Sequence, residues 1–422
     1  MGAVCGSSEK RPKDAPLPLH GVRERTSSGS CSPGCSVRHW GGLRRGYKRD
    51  EDRWSVCTSL HGMPDSAVAA VLDGHGVRGA SWGADVAERG AEQLPALFVR
   101  EYKGVQREHA SDHSGPGVDS DGATRDSGWM VGEALKRSFA AFQRSHEDHY
   151  DHAVMKEVEQ KRAEFEAATQ TVAPEFFPPE GGSTATAVAV SGDTVAIGWV
   201  GDSRAVMACD DPEAPTPTAD DAPETQRADR RDRGDRDSSG EPRQLSARDL
   251  TIDHSVEENE QERERVLSCG GSIVGPYLSH PSVEGLLQVT RSLGDAGYHR
   301  NGVVSAVPET LIVSRRGPPK RFIVVASDGV WKVVTSSEAV NQVHASLSAS
   351  NYYSRPADDS PAAASAVLRA CENLEAFAMT RAKEKGAIDD ISVVILTFKA
   401  PGTTATGVPP QVHDTASSSE RL

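Results

Sequence analysis

The sequence predicts an α+β fold built on antiparallel sheets. Three observations carry that reading. Short apolar, partly β-branched runs come in groups joined by tight turns. Amphipathic helical stretches come in pairs rather than alternating singly with strands. Several apolar runs also stop abruptly at an aspartate. The 422 residues suffice for one large domain or two ordinary ones, and 37% hydrophobic residues beside abundant Gly and Pro imply a sizeable core with long loops.

In chain order, residues 1–40 are rich in Ser, Gly, Pro and charge and are expected to form a disordered tail. Trp54 to Cys57 is strand-like and is entered through the acidic pair Glu51-Asp52. Val68 to Leu72 reads as a buried strand that delivers Asp73 to its end, where Gly74 and Gly76 let the backbone turn. A helix is expected from about Ser81 to Tyr102, with Val86, Leu94, Leu97 and Phe98 near one face and Pro95 breaking or kinking it. Residues 104–128 read as a surface loop. A second helix starts near Trp129, places Leu135, Phe139 and Phe142 at i, i+4 and i+7, and continues into a charged stretch through Phe165. His146, His149 and His152 lie there at helical spacing and read as a solvated face.

Thr184 to Val190 and Thr194 to Val200 form a predicted hairpin around Gly192-Asp193. Gly201-Asp202-Ser203 then turns the chain into Arg204-Ala205-Val206-Met207. Residues 210–243 form a mixed-charge, low-complexity insert expected to be disordered. Glu257 to Leu267 reads as a helix stopped by Gly270-Gly271. Phe322 to Ser327 runs into Asp328-Gly329, and Asp389-Asp390 leads into the apolar Ile391 to Leu396. Between these two strands, Ser360 suits an N-cap, Pro361 a first turn and Gly386 the residue after the last turn of a helix ending near Lys385. Residues 41–400 are read as one domain and 401–422 as a polar tail.

The strand-end acids carry the chemistry. One Asp-Gly is an ordinary turn. Asp73, Asp328 and Asp389, each beside an apolar run, together with Asp202, point to a shared acidic site, because carboxylates next to a hydrophobic interior need positive compensation. With no Cys or His set nearby, a hard cation with oxygen ligands, Mg²⁺ or Mn²⁺, is the expectation. The net charge of −14 and the lack of a basic, aromatic stripe argue against nucleic acid as a partner. Seven scattered cysteines fit a reducing compartment, and Cys31 and Cys35 lack the second ligand pair of a zinc site. No apolar run reaches the roughly 18–20 residues of a membrane span, and no secretory h-region is present. Met1-Gly2-Ala3-Val4-Cys5-Gly6-Ser7 resembles an N-myristoylation signal with a palmitoylatable Cys5, although Gly6 stands where Ser or Thr is usual. A cytoplasmic location with peripheral membrane anchoring through Gly2 and Cys5 is therefore one expectation, and an unmodified tail is the other. Nothing in the sequence sets the oligomeric state; a monomer is the default.

Eight motifs, taken in order, resemble the protein phosphatase 2C family of metal-dependent Ser/Thr phosphatases. They are Glu51-Asp52, Asp73-Gly74-His75-Gly76, Gly182-Ser183-Thr184-Ala185, Gly201-Asp202-Ser203-Arg204-Ala205-Val206, Leu250-Thr251 with Asp253-His254, Val289-Thr290-Arg291-Ser292-Leu293-Gly294-Asp295, Ala326-Ser327-Asp328-Gly329-Val330-Trp331 and Asp389-Asp390-Ile391-Ser392. The resemblance spans about 41–398. It implies a central β-sandwich of two antiparallel sheets flanked by pairs of helices, two Mg²⁺ or Mn²⁺ ions at one end, and phosphorylated proteins as substrates. It implies that Asp73 bridges the ions, that the Gly74 carbonyl binds one, and that Asp328 and Asp389 hold the other. By the same resemblance Glu51 and Asp52 are expected to act mostly through metal-bound waters, Asp202 to mark a weaker third-metal position, and His75 to be the candidate general acid. The resemblance also implies that Arg291 sits near a mobile flap within about 270–292, and Lys48, Arg49 and Arg291 are the expected phosphate- or substrate-binding residues.

Four departures from the family pattern stand out. Tyr47 replaces a phosphate-contacting Arg, leaving Lys48, Arg45 or Arg49 to substitute. Val77 replaces a Gly. Lys332 replaces an Asp, which places a cation where a third metal wants an oxygen. Asp390 replaces an Asn. A non-catalytic module that binds phosphoproteins is the alternative that Tyr47 and Lys332 motivate.

Overall fold

The computed structural model describes residues 23–30, 37–58, 60–63, 65–76, 82–111, 128–150, 152, 155–171, 181–210, 245–315, 320–353 and 360–398. Two antiparallel sheets dominate. One has five strands in the order Glu309–Ser314, Thr194–Val200, Ala185–Ser191, Ser66–Leu72 and Arg53–Cys57. The other has six, in the order Arg23–Ser30, Val37–Gly46, Ile391–Phe398, Lys320–Ala326, Arg204–Cys209 and Ser246–Asp249.

The strand period explains how the layers stack. Along Ser66–Leu72, Ala67, Ala69 and Val71 face the second sheet and pack with Ile197, Met207, Ile323, Val325, Val394 and Leu396. Val68, Ala70 and Leu72 face outward onto Leu94, Phe98, Leu135, Phe139 and Phe142, which belong to helices Trp82–Ser111 and Gly128–His149. Both faces are buried, so the strand reads as one continuous apolar run rather than an alternation. The six-stranded sheet repeats the arrangement. Val206, Phe322, Val324, Val393 and Ile395 turn outward onto Val340, Val343, Val367 and Leu374 of helices Ser336–Ala349 and Pro361–Lys385. The result is a helix–sheet–sheet–helix sandwich, as the resemblance implies.

Local signals set the ends of several elements. Ser360 accepts from the Ala363 N–H, Pro361 opens the helix, and Gly386 closes it with φ +66°. Gly192, at φ +54°, makes the predicted hairpin turn, and Ser191 pairs with Thr194 across it. A smaller three-stranded sheet, Ser272–Val274, Tyr277–His280 and Val283–Leu287, projects beside one end of the sandwich. It has its own core of Val266, Leu278, Leu287, Val289 and Tyr298.

Four expectations are corrected. The tail assigned to residues 1–40 is not disordered throughout: Arg23–Ser30 pairs in register with Val37–Gly46, from Arg23 opposite Gly46 to Ser30 opposite His39. This edge strand is held by its backbone ladder rather than by an apolar face, so it carries no hydrophobic period. The first helix neither stops near Tyr102 nor breaks at Pro95; it runs on to Ser111, into the segment read as a loop. Pro95 is buried, and the apolar face around Leu94 and Phe98 outweighs the roughly 3 kcal/mol that an interior proline costs. The second helix ends at His149, and Met155–Thr169 is a separate helix. Within Gly128–His149, His146 is 3% exposed rather than solvated, and its ring lies against Phe142 and Tyr150. Burial and the nearby Arg89 push its imidazole down to about 4.

The acylation signal at Gly2 and Cys5, Val77, residues 112–127 of the expected 104–128 loop, the insert at 211–243 and the tail at 401–422 lie outside the described residues. Among the described residues, no helix is long and apolar enough to cross a membrane.

Candidate active site

The strand-end acids meet at one end of the sandwich. Asp73 leaves the buried strand Ser66–Leu72, Asp202 sits in the turn between Thr194–Val200 and Arg204–Cys209, Asp328 follows Lys320–Ala326, and Asp389 precedes Ile391–Phe398. Adjacent strands from both sheets thus deliver acids to a common edge. A cavity of about 170 Å³ opens there, walled on one side by Asp73, His75, Asp202 and Asp328 and on the other by Tyr277, Leu286 and Leu287 of the small sheet.

The backbone is braced tightly at this edge. The Asp73 N–H donates to Thr184 Oγ1 at 3.1 Å, and the Thr184 N–H donates to the Asp73 carbonyl at 2.9 Å. Gly74–Gly76 then pairs with Gly181–Ser183, which pairs with Leu293–Gly294. At Gly74 a Cβ would run into the Gly83 backbone and the Glu51 carbonyl. At Gly182 it would run into the Asp295 carboxylate. Glycine at these two places lets distant chain segments touch.

Asp295 is a residue that sequence reasoning missed. It is 1% exposed, and its Oδ2 lies 2.7 Å from His75 Nε2 while also accepting from Ser292 Oγ. Burial alone would lower the imidazole; the Asp295 carboxylate outweighs it and holds His75 above its ordinary range. The available signal was the Gly294-Asp295 ending of the motif, but the partner lies 220 residues away in sequence.

Asp390 was also missed as a structural anchor. Its Oδ1 accepts from the Tyr47 and Lys48 N–H groups at 2.6 Å each, and its Oδ2 from Arg49 at 3.1 Å and Glu51 at 3.2 Å. Two carboxylate oxygens serve four donors, a capacity that the amide of Asn, with its single oxygen, lacks. This fixes the loop that carries Glu51 and Asp52. Asp52 is 1% exposed; Ser327 Oγ donates to its Oδ2 at 2.7 Å, and its Oδ1 is buried without a hydrogen-bond partner among the described residues.

The electrostatics of the edge are uneven. Burial first, then the charges of Asp52, Asp328, Asp202 and Asp389, push the Asp73 carboxyl far up. Asp52 and Asp202 are raised mainly by burial, and Glu51 likewise, with Arg49 opposing. Asp389 behaves oppositely. Burial would raise it, but Lys332 and Lys48 hold it below the usual range. Lys332 Nζ pairs with Asp328 Oδ2 and lies 3.1 Å from Asp389 Oδ2, and Lys48 Nζ lies 3.3 Å from Asp389 Oδ1.

The phosphate-binding candidates separate. Lys48, about half exposed, stands at the rim. Arg49 is held by the Gly76 carbonyl at 3.1 Å and by Glu51 at 3.8 Å. Arg291 is corrected: its guanidinium is bound by Glu262 at 2.7 Å, Glu309 at 3.1 Å and the Val307 carbonyl, so it serves as structure rather than as a free phosphate clamp. Tyr47 turns away from the acids, and its hydroxyl bonds Glu375 on helix Pro361–Lys385, as Arg45 does at 3.2 Å. Burial and that carboxylate push the Tyr47 phenol up to about 12.

An all-oxygen donor set, an orphaned buried carboxylate oxygen and acids that raise one another fit a hard divalent cation. Among the described residues no three acid, imidazole or thiol side chains already surround one point at ligand spacing. The carboxylates instead lean on Lys332, Lys48 and backbone N–H groups.

Comparison with known proteins agrees with this arrangement. The family model for protein phosphatase 2C matches residues 124–235 and 237–385. A probable protein phosphatase 2C 2 of Arabidopsis thaliana is 25% identical over 346 residues, 82% of this chain and 63% of that protein. A probable protein phosphatase 2C 33 of Oryza sativa subsp. japonica is 28% identical over 80% of this chain and 60% of its own length. The chain thus spans less than two thirds of these relatives. The solved serine-threonine phosphatase 2C from Toxoplasma gondii superposes with a TM-score of 0.56 at 18% identity, covering 89% of this chain and 99% of that one, which is a likeness of fold. A match to the family model over more than half of the sequence makes this chain a member of the protein phosphatase 2C family.

Proposed function

We propose that the chain hydrolyses phosphoserine and phosphothreonine in proteins, as a phosphatase dependent on Mg²⁺ or Mn²⁺. The observation that carries this reading is the convergence of Asp73, Asp202 and Asp328 on one cleft, with the charges of Asp52 and Asp389 close enough to act on Asp73. In this reading Asp73, the Gly74 carbonyl, Asp328 and Asp389 hold a pair of divalent cations. Glu51 and Asp52 act through waters, and Asp202 lies at a third position. Bound there, the cations supply positive charge for phosphate oxygens and acidify a water.

The chain's own groups do the rest. As the water oxygen bonds to phosphorus and the ester P–O bond breaks, the departing Ser or Thr oxygen needs a proton. His75 gives it, and the products are the free hydroxyl and inorganic phosphate. With Nε2 held by Asp295, Nδ1 is the nitrogen left to do so. Asp295 fixes the ring and favours its charged form. Tyr277, Leu286 and Leu287 give the cleft an apolar wall that sheds water from one side. Lys48 meets the incoming phosphate at the rim as a point charge, without the two-pronged grip of Arg.

The test is turnover of a phosphothreonine peptide in Mn²⁺, with EDTA as control. Asp73→Ala should lose at least ~10⁴-fold in rate, while His75→Asn should lose about 10²–10⁴-fold and still bind Mn²⁺. Undiminished turnover by Asp73→Ala would end the proposal. A second reading, a phosphoprotein-binding module without turnover, is favoured by Lys332 seated on two of the acids and by Tyr47 facing away. Mn²⁺ uptake by the wild-type chain without peptide hydrolysis would select it. Acylation of Gly2 and Cys5 would hold either form at the cytoplasmic face of a membrane, since one acyl chain alone anchors only marginally. Mass spectrometry of the mature N-terminus decides that point.

A further inference from the structure

Lys332 lies at the C-terminal cap of the one-turn helix Asp328–Trp331, and its N–H donates to the Asp328 carbonyl at 2.9 Å. It therefore shares a turn with Asp328, and the two side chains rise together. That turn has no freedom to rotate: Trp331 is buried and its Nε1 donates to the Ala326 carbonyl at 2.7 Å. The ammonium consequently stands between two strand-end acids that come from neighbouring strands, pairing with Asp328 Oδ2 and with Asp389 Oδ2 at 3.1 Å. Asp52 Oδ1, by contrast, is buried without a donor among the described residues.

We infer that the Lys332 ammonium is a resident, covalently tethered cation of this cleft. It takes one divalent-ion place on Asp328, so that the chain binds one ion fewer than its acids could hold. The inference rests on the metal-dependent reading above. A divalent ion sharing Asp328 Oδ2 would sit against a like charge that the fixed turn keeps in place, and repulsion at that range is strong. The remaining oxygens of Asp328 and Asp389 stay open to the ion pair on the Asp73 side; the Lys48 contact on Asp389 Oδ1 is half exposed and gives way readily. An ammonium offers charge and hydrogen bonds but has no open position for water, so it compensates the acids without activating a nucleophile.

The experiment is a Mn²⁺ titration of the metal-stripped full chain, counting bound ions by calorimetry and by the electron paramagnetic resonance signal of free Mn²⁺. Lys332→Asp should bind one ion more per chain than wild type, and Lys332→Arg should bind the wild-type number. Equal numbers in wild type and Lys332→Asp would overturn the assignment while leaving the phosphatase reading intact. No Mn²⁺ uptake by any form would overturn both. If Lys332→Asp does not fold, Lys332→Gln replaces it and melting is the readout. Its metal-free form should melt below wild type, and saturating Mn²⁺ should raise its Tm by more than the wild-type rise. Equal rises in the two proteins would count against a resident ammonium.

Discussion

Two buried charge clusters in this molecule are built on opposite plans. In the first, Glu262 is 3% exposed and is answered on all sides: Arg291 at 2.7 Å, Arg265 at 2.9 Å and Thr290 Oγ1 at 2.7 Å. Burial would raise its carboxyl, but those donors pull it down to about 2. In the second, Asp52, Asp73 and Asp202 are raised by burial first, and the charge of Asp328 adds to all three. The first cluster is complete within the chain and serves to pin the segment around Thr290 to helix Glu260–Ser268. The second is compensated only in part, by Lys332 and Lys48 on Asp328 and Asp389, and the acids left over mark it as a place for a ligand. Arg291 shows how the two are confused from sequence: an arginine inside a family motif reads as a substrate contact, yet its carboxylate partners make it architecture.

Removing one side from each cluster should have opposite effects. The largest is expected at the complete cluster. Glu262→Ala strands Arg291 and Arg265 near the interior and should destabilise the fold by about 3–5 kcal/mol, read by urea denaturation. A loss below ~1 kcal/mol would place Glu262 among ordinary surface pairs.

Acid sharpens the same contrast. Despite burial, its arginine and threonine partners hold the Glu262 carboxyl down to about 2 in the folded chain, against 4.5 for an ordinary glutamate. The folded form therefore binds fewer protons than the unfolded one between those values, and stability falls as pH falls. The contribution is fully present above pH 4.5 and gone below about 2. The stability gap between wild type and Glu262→Gln should be constant above pH 4.5 and narrow as pH is lowered towards 2; a gap that does not narrow assigns the effect to packing.

The smallest effect is expected at the incomplete cluster. With metal absent, Asp73→Asn removes a carboxyl that burial and its acidic neighbours hold far above its ordinary range, so folding no longer has to protonate it, and the fold should gain about 1 kcal/mol, with the sign reversing when Mn²⁺ is added. A destabilised metal-free variant would mean that the acids are already compensated.

Much of the architecture was legible because it rests on local chemistry. The helix opened by Ser360-Pro361 and closed by Gly386 follows from capping, and the Gly192 hairpin from turn geometry. Strands buried on both faces announce themselves as unbroken apolar runs, and the aspartates at their ends follow from the same runs. What stayed hidden depends on partners far away in sequence. Arg23–Ser30 has no apolar face to betray it, and only the neighbouring strand makes it one. Helix continuity through Pro95 depends on the sheet beneath. His146 looks solvated on a charged helix until Phe142, Tyr150 and Arg89 enclose it. The bond between His75 and Asp295 and the four donors gathered by Asp390 exist only after the sandwich has closed.

The position of Asp390 also bears on when the protein can work. Residues 47, 48, 49 and 51 are clasped by a carboxylate more than 330 residues downstream, and the strand behind them, Val37–Gly46, lies against Ile391–Phe398. During synthesis, therefore, the segment that bears Glu51 waits for 339 further residues to be made before it is latched. A nascent chain stalled short of that last strand carries seven of the eight motifs and no assembled cleft.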